Sequence, residues 1–183
     1  MNFGLEKIVT GGNTGCDRAG LIAAERLGLK TGGFLPKGLK TDDDKGEEVM
    51  KRFNLLESSG GYRQRDMDTA DMCDSLIAFL LNEPNTGRGT TGTINYVACG
   101  KHEFTHSLVA PSKGYLIIKT QKPVLVLWDA HIDANKESII RQIRDFLINF
   151  KPKSIMISGP VENTKSGIER RVTDILVQAL QII

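Results

Sequence analysis

Short apolar runs that stop at glycine or proline alternate with longer stretches whose apolar residues recur every three to four positions. "LEKIVT" (residues 5–10) is the first such run, and it halts at glycines as a buried strand does. Across residues 16–29, Ala19, Leu21, Ile22, Ala23, Ala24 and Leu27 mark one helical face that ends at Gly28. "TGGFLP" reads as a second short strand closed by Pro36. Residues 37–61 carry Asp42, Asp43, Asp44, Glu47 and Glu48 without clear periodicity, and they read as a long surface loop with one helical turn. "YRQRDMDTADMCD" reads as a helix, and "SLIAFLL" (residues 75–81) is the clearest buried strand so far.

The second half repeats the alternation. A glycine-threonine loop, "NTGRGTTGT" (residues 85–93), leads into the helix-like "INYVACGKH". "PVLVLWD" is a strand, and "KESIIRQIRDFLINF" is an amphipathic helix with Ile139, Ile140, Ile143, Phe146 and Leu147 on one side. "SIMISG" is the last strand and "GIERRVTDILVQALQII" the last helix. Strands that are apolar throughout, alternating with helices, predict an α/β fold: a parallel sheet with helices on both faces. The strands ending at Thr10, Leu81 and Ser158 are each followed by a glycine-bearing polar loop and a helix. In an open α/β sheet such loops gather beyond the strands' carboxyl ends, so the three can share one site.

Their residue types point to an anion. Helix amino-termini offer backbone N–H groups and partial positive charge, glycines let that backbone approach closely, and threonines add hydroxyls. Gly11, Gly12, Thr14 and Gly15 supply this in the first loop; Gly87, Gly89, Thr90, Thr91, Gly92 and Thr93 supply it in the second. Arg18, Lys37 and Arg65 are the candidate counter-charges for a phosphate, with Asp17 placed to orient Arg18 or a ligand hydroxyl. The first loop, "TGGNTGCDRAG", matches neither the Walker pattern nor the dinucleotide Gly-x-Gly-x-x-Gly fingerprint.

Composition narrows the classes without changing this picture. The 183 residues are 40% hydrophobic and 25% charged, as in a globular protein. A net charge of only +2 gives no broad basic surface for nucleic acid. Three cysteines without close paired spacing speak against a disulfide framework or a four-cysteine zinc site, and the expectation is a cytoplasmic protein. Residues 1–9 are too short and polar for a signal peptide, and no apolar run spans a bilayer. Cys16, at a helix start, reads as a small buried residue rather than a reactive thiol; Cys73 and Cys99 read as core-facing. Trp128 ends a strand and reads as packing rather than a platform for a planar ligand.

"HEFTH" (residues 102–106) matches the zinc-protease motif His-Glu-x-x-His, in which both histidines share one continuous helix. Gly100 before it and "SLVAPSKG" after it argue against such a helix. No third histidine follows at metzincin spacing, although Glu137 could serve as a distant ligand. The zinc protease is a remote alternative.

Several motifs, in order along nearly the whole chain, carry a family resemblance. Gly11, Gly12, Thr14, Gly15, Asp17 and Arg18 resemble a Gly-Gly-x-Thr-Gly-x-Asp-Arg motif. Thr31, Gly32 and Gly33, then Pro36, Lys37 and Gly38, resemble the Thr-Gly-Gly and Pro-Lys-Gly that follow it. Thr90–Thr93 is similar to a central Thr-Gly-Gly-Thr loop, with Thr91 replacing a glycine. Gly159, Pro160, Glu162, Gly167 and Ile168 match a late Gly-Pro-x-Glu…Gly-Ile motif. The sequence thus resembles the family named for molybdenum-cofactor carriage, the circularly permuted YpsA-like branch of the SLOG superfamily, which also contains the LOG nucleotide phosphoribohydrolases. Asn13 replaces that family's usual glutamine, and Cys73 falls where it tends to have aspartate. Residues 103–121 look like an insertion, and "SLVAPSKGYLIIK" within it reads as a β-hairpin around residues 112–114, a lid or an oligomer contact.

The resemblance implies a single Rossmann-like domain over residues 1–183, doubly wound, with a mainly parallel sheet. It implies a crevice for molybdenum cofactor or a nucleotide-like phosphate ligand, held by the loop residues above with Lys37, Gly38, Gly159, Pro160 and Glu162. It also implies a homo-oligomer, a dimer or tetramer; from the charge balance and the lack of a spanning apolar run, neither nucleic acid nor membrane is expected as a partner. The enzymatic alternative is hydrolysis of a nucleotide N-glycosidic bond, as in the LOG branch. Aligned on Gly92–Thr93, the position of that branch's glutamate holds Tyr96, which cannot serve as a carboxylate base at neutral pH. Asp17, Asp66 and Asp68 are the carboxylates that could substitute for it.

Overall fold

The computed structural model describes residues 4–81, 88–100, 115–120, 122–128 and 136–181. Seven strands form one sheet: β1 (Lys7–Thr10), β2 (Lys30–Leu35), β3 (Leu56–Glu57), β4 (Ser75–Leu80), β5 (Tyr115–Ile118), β6 (Val124–Trp128) and β7 (Ser154–Ser158). Between them run α1 (Cys16–Arg26), α2 (Gly46–Phe53), α3 (Tyr62–Asp71), α4 (Arg88–Cys99), α5 (Lys136–Phe150) and α6 (Ile168–Leu180). The spatial order is β3-β2-β1-β7-β4-β6-β5. Every pairing is parallel except the edge pair β5–β6. This is the helix-covered α/β sheet that the alternation predicts, with one antiparallel edge pair added, and the Rossmann-like, mainly parallel fold that the family resemblance implies.

Alternation within each strand divides the core in two. Ile8, Ile77, Phe79, Leu125, Leu127, Ile155 and Ile157 pack against α1, α5 and α6. Val9, Leu76, Ala78, Val124, Val126 and Met156 face the opposite way, toward α3 and α4. Both faces are covered, which is why these strands read as unbroken apolar runs. Trp128 belongs to the second cluster and is 1% exposed, so it packs.

The stretch 37–61 departs from its reading as a loop with one helical turn. It holds α2, eight residues long, and β3, which pairs with β2 at the sheet edge. Val49 and Phe53, four apart, are the buried stripe of α2 and meet Leu21, Leu35 and Leu55 in a third cluster. That stripe is narrow, and the flanking charges hide it. Cys99 also departs from expectation: it is exposed at the end of α4, while Cys16 and Cys73 are buried. Burial pushes the Cys73 thiol up to about 11, so it is inert.

The edge strand β5 lies within the stretch read as an insertion and runs antiparallel to β6. The proposed hairpin tip, the His-Glu-x-x-His match and Gly87 lie outside the described residues. Among the described residues no helix is long and apolar enough to cross a membrane.

Candidate functional site

β1, β7 and β4 are neighbours in the middle of the sheet, and beyond their carboxyl ends the loop after β1, the segment after β7 and the first turn of α4 come together. A cavity of about 290 Å³ opens there, the size of the smaller small-molecule sites. Asn13 and Asp17 line it from the first loop and α1; Tyr62, Arg65 and Asp66 line it from α3. Gly89 and Thr90 border it from the first turn of α4, and the segment after β7 supplies Ser158, Gly159 and Pro160.

Arg65 organises the floor. Its Nη1 donates to Asp17 Oδ2 at 3.0 Å, and its Nε lies 3.2 Å from Asp66 Oδ1. All three side chains are about nine-tenths buried. Position 11 must be glycine for this contact, because a Cβ there would lie 1.1 Å from Arg65 Nη1. The guanidinium also sits 5.4 Å from the ring centroid of Tyr62, a half-exposed residue at the rim. Two carboxylates thus share one cation. Burial drives the Asp17 carboxyl up, with Asp66 adding to the rise; Arg65 and the Asn13 amide pull it back, and it settles at about 6. Asn13 Oδ1 is buried without a hydrogen-bond partner among the described residues.

The first glycine loop is engaged differently from its sequence reading. The Gly12 amide donates to Thr10 Oγ1 at 3.2 Å, and the Asn13 amide to the Asp17 carboxylate. The Thr14 amide donates to Asp42 Oδ1 at 2.8 Å, and the Thr14 hydroxyl to Asp42 Oδ2. The Gly15 amide donates to Glu169 Oε2 at 3.0 Å and the Cys16 amide to the Pro160 carbonyl at 3.0 Å. Five successive amides therefore hold acceptors of the fold itself, three of them carboxylates. Gly15 adopts φ +77°, and a Cβ there would lie 2.3 Å from the Pro160 oxygen. The helix start binds anions as expected, but those anions are side chains.

The remaining candidates divide between cavity and scaffold. Asp17 pairs with Arg65 rather than Arg18; Arg18 donates to the Gly12 carbonyl and pairs with Asp43 at 3.2 Å. Lys37 is exposed in the loop after β2, and Gly38 donates to Glu57 Oε1 at 2.7 Å, so neither lines the cavity. Glu162 accepts from the amides of Gly167 and Glu169 and thereby caps α6. Thr93 Oγ1 turns back to the Gly89 carbonyl at 3.1 Å, and Thr91 and Gly92 do not line the cavity. The Tyr96 hydroxyl donates to Asp71, pointing at α3. Asp68 accepts from Ser58 and Gln64 outside the cavity, which leaves Asp17 and Asp66 as its carboxylates.

Of the candidate residues, Asp17, Arg65, Gly89, Thr90, Gly159 and Pro160 come together around the cavity. Tyr62 and Asn13 also line it, although the sequence pattern does not single out Tyr62 and marks Asn13 only as a departure from the family motif. The signal for Tyr62 lies in "YRQRD": Tyr62, Arg65 and Asp66 stand at i, i+3 and i+4 of one helix, a single face. Among the described residues no group of three His, Cys, Asp or Glu side chains could hold a metal ion.

Residues 8–180 match the circularly permutated YpsA SLOG family. Among solved structures the chain is similar to a putative molybdenum carrier protein from Syntrophus aciditrophicus SB, at 21% identity and a TM-score of 0.76. That match covers 97% of this chain and 96% of the other. A comparison with curated proteins finds no match.

Proposed function

The chain belongs to the circularly permutated YpsA SLOG family, and from that premise we propose that it binds and carries a phosphate-bearing heterocycle of the molybdenum-cofactor or nucleotide kind. The observation behind this reading is the cavity at the carboxyl ends of β1, β7 and β4, bordered by the α4 amino-terminus on one side and the Asp17–Arg65–Asp66 cluster on the other. The phosphate belongs at α4. The first turn of α4 carries no acidic side chain, and Gly89 and Thr90 let its backbone come close to a ligand oxygen. The first loop has a supporting role, since its amides hold Asp42 and Glu169. A cytosolic homo-oligomer is part of the same proposal.

Native mass spectrometry of freshly purified protein tests the reading. A co-purifying phosphorylated heterocycle is the expected result. Bare protein, with no binding of molybdenum cofactor or nucleoside monophosphates by calorimetry, would refute it.

N-glycosidic hydrolysis is the second reading, and one observation favours it: the Asp17 carboxyl, near 6, lies within the cavity and is suited to proton transfer at neutral pH. The orientation of Tyr96 toward Asp71 weighs against it. Release of free base and ribose 5-phosphate from nucleoside monophosphates, abolished in Asp17→Asn, is its signature.

A further inference from the structure

The floor of the cavity is lined by carboxylates, and this bears on which end of a ligand goes where. Asp17 and Asp66 both lie against Arg65, which sets the oxygens of two carboxylates beside one guanidinium there. The Asp17 carboxylate receives two donors, Arg65 Nη1 and the Asn13 amide, where a carboxylate has about four acceptor sites. Asn13 Oδ1, buried and lining the same cavity, holds a further acceptor without a donor among the described residues. A buried acceptor in that state is costly to leave unmet, and a ligand N–H recovers that cost on binding. A bare oxyanion meets repulsion here, whereas a pair of N–H donors meets a carboxylate and an amide oxygen. Tyr62 at the rim and the guanidinium of Arg65 offer planar surfaces, which favours a flat ring over an ammonium group.

We propose that Asp17 and Asn13 receive the N–H edge of a 2-amino-4-oxopyrimidine ring, the edge shared by guanine and the pterins. The proposal rests on the binding reading above and deepens it: the cargo is held by its organic ring, with its anionic end directed away toward α4. A molybdenum-bearing ligand would on this account be recognised as a heterocycle and not as molybdate. Because the ring donates to an ionised carboxylate, binding also weakens as Asp17 takes up its proton.

The test uses the unphosphorylated probes guanosine, inosine, adenosine and pterin, with sodium molybdate as the oxyanion, titrated calorimetrically into the full chain. Guanosine or pterin is expected to bind. Inosine, which lacks the 2-amino group, should bind about tenfold more weakly than guanosine, and adenosine more weakly still. Asp17→Asn and Asn13→Ala should each weaken the guanosine or pterin complex by about tenfold. Melting temperatures control for folding. Should Asp17→Asn fail to fold, Asn13→Ala and the guanosine–inosine pair decide. The two ring sources separate by which of guanosine and pterin binds more tightly.

Equal affinity for guanosine, inosine and adenosine would overturn the proposal. So would molybdate binding that tightens in Asp17→Asn, because the floor would then be an oxyanion seat. Failure of both guanosine and pterin, with nucleotides of every base binding alike, would overturn the ring assignment while leaving the phosphate reading intact. Ring binding that discriminates against inosine, with no gain from a phosphate, would leave the ring assignment standing and remove the phosphate seat.

Discussion

The two glycine-rich stretches look alike in sequence, but the described part of the second, from Arg88 on, is the start of α4 rather than a loop. In the loop after β1, the amides of residues 12–16 close on Thr10, Asp17, Asp42, Glu169 and the Pro160 carbonyl. At α4, by contrast, Gly89 and Thr90 border a cavity. Glycine marks where something must approach the backbone closely, but not whether that something is a ligand or the protein itself. The first loop ties α1 to the segment after β7 and to residues 42–43, and so fixes the cavity's wall. In the proposed reading the first is scaffold, and the start of α4 is the seat for the ligand's phosphate.

That contrast can be broken most forcefully at Gly15. A methyl group there meets the Pro160 oxygen at 2.3 Å and the Val161 Cα at 2.7 Å, at a φ that disfavours any side chain. Gly15→Ala is expected to lower stability by at least about 4 kcal/mol in denaturant titration. A loss below about 1 kcal/mol would show that the loop is not a structural clamp.

Arg65→Met comes next. It removes the guanidinium that two buried carboxylates lie against and should destabilise by about 3 kcal/mol at pH 7, less in acid, where the Asp17 carboxyl takes up its proton.

Asp17→Asn sharpens the account of the floor through pH. The Asp17 carboxyl holds its proton more tightly when folded, at about 6, than at its ordinary 3.8. The folded state then binds more protons than the unfolded one over that window, so the contribution of Asp17 to stability falls as pH rises through it. Wild type should therefore lose on the order of 2–3 kcal/mol relative to Asp17→Asn between about pH 4 and pH 7, read by denaturation at each pH. An unchanged difference across that range would remove burial as the cause. The smallest stability effect belongs to Glu169→Gln, which keeps an acceptor for the Gly15 amide but removes its charge and should cost about 1 kcal/mol.

Much of this architecture can be read from the chain. The runs at β1, β4, β6 and β7 are buried on both faces, so their hydrophobicity has no polar alternation to dilute it. The meeting of the loop after β1, the segment after β7 and the start of α4 follows from parallel strands whose carboxyl ends lie on one side of the sheet. What the sequence hides is long-range pairing. The acceptors of the Thr14 and Gly15 amides lie 28 and 154 residues away, so nothing local marks those amides as engaged. The Arg65–Asp17 pair spans 48 residues, whereas the adjacent Asp17–Arg18 sequence invites the wrong pairing. The α2 helix escapes notice because Val49 and Phe53 are a two-residue stripe among acids and bases.

The division into scaffold and seat is tested most directly by one calorimetric comparison. Gly89→Asp and Asp42→Asn are titrated side by side with whichever phosphorylated ligand wild type binds. Gly89 has room for a side chain, the nearest atom to its Cβ being Asp66 Oδ2 at 4.0 Å, so the variant should fold and place a carboxylate at the α4 amino-terminus. The account predicts that Gly89→Asp weakens binding by about tenfold or more, while Asp42→Asn keeps wild-type affinity. The reverse, with Gly89→Asp binding normally and Asp42→Asn changing affinity, would place the phosphate on the first loop and contradict the account.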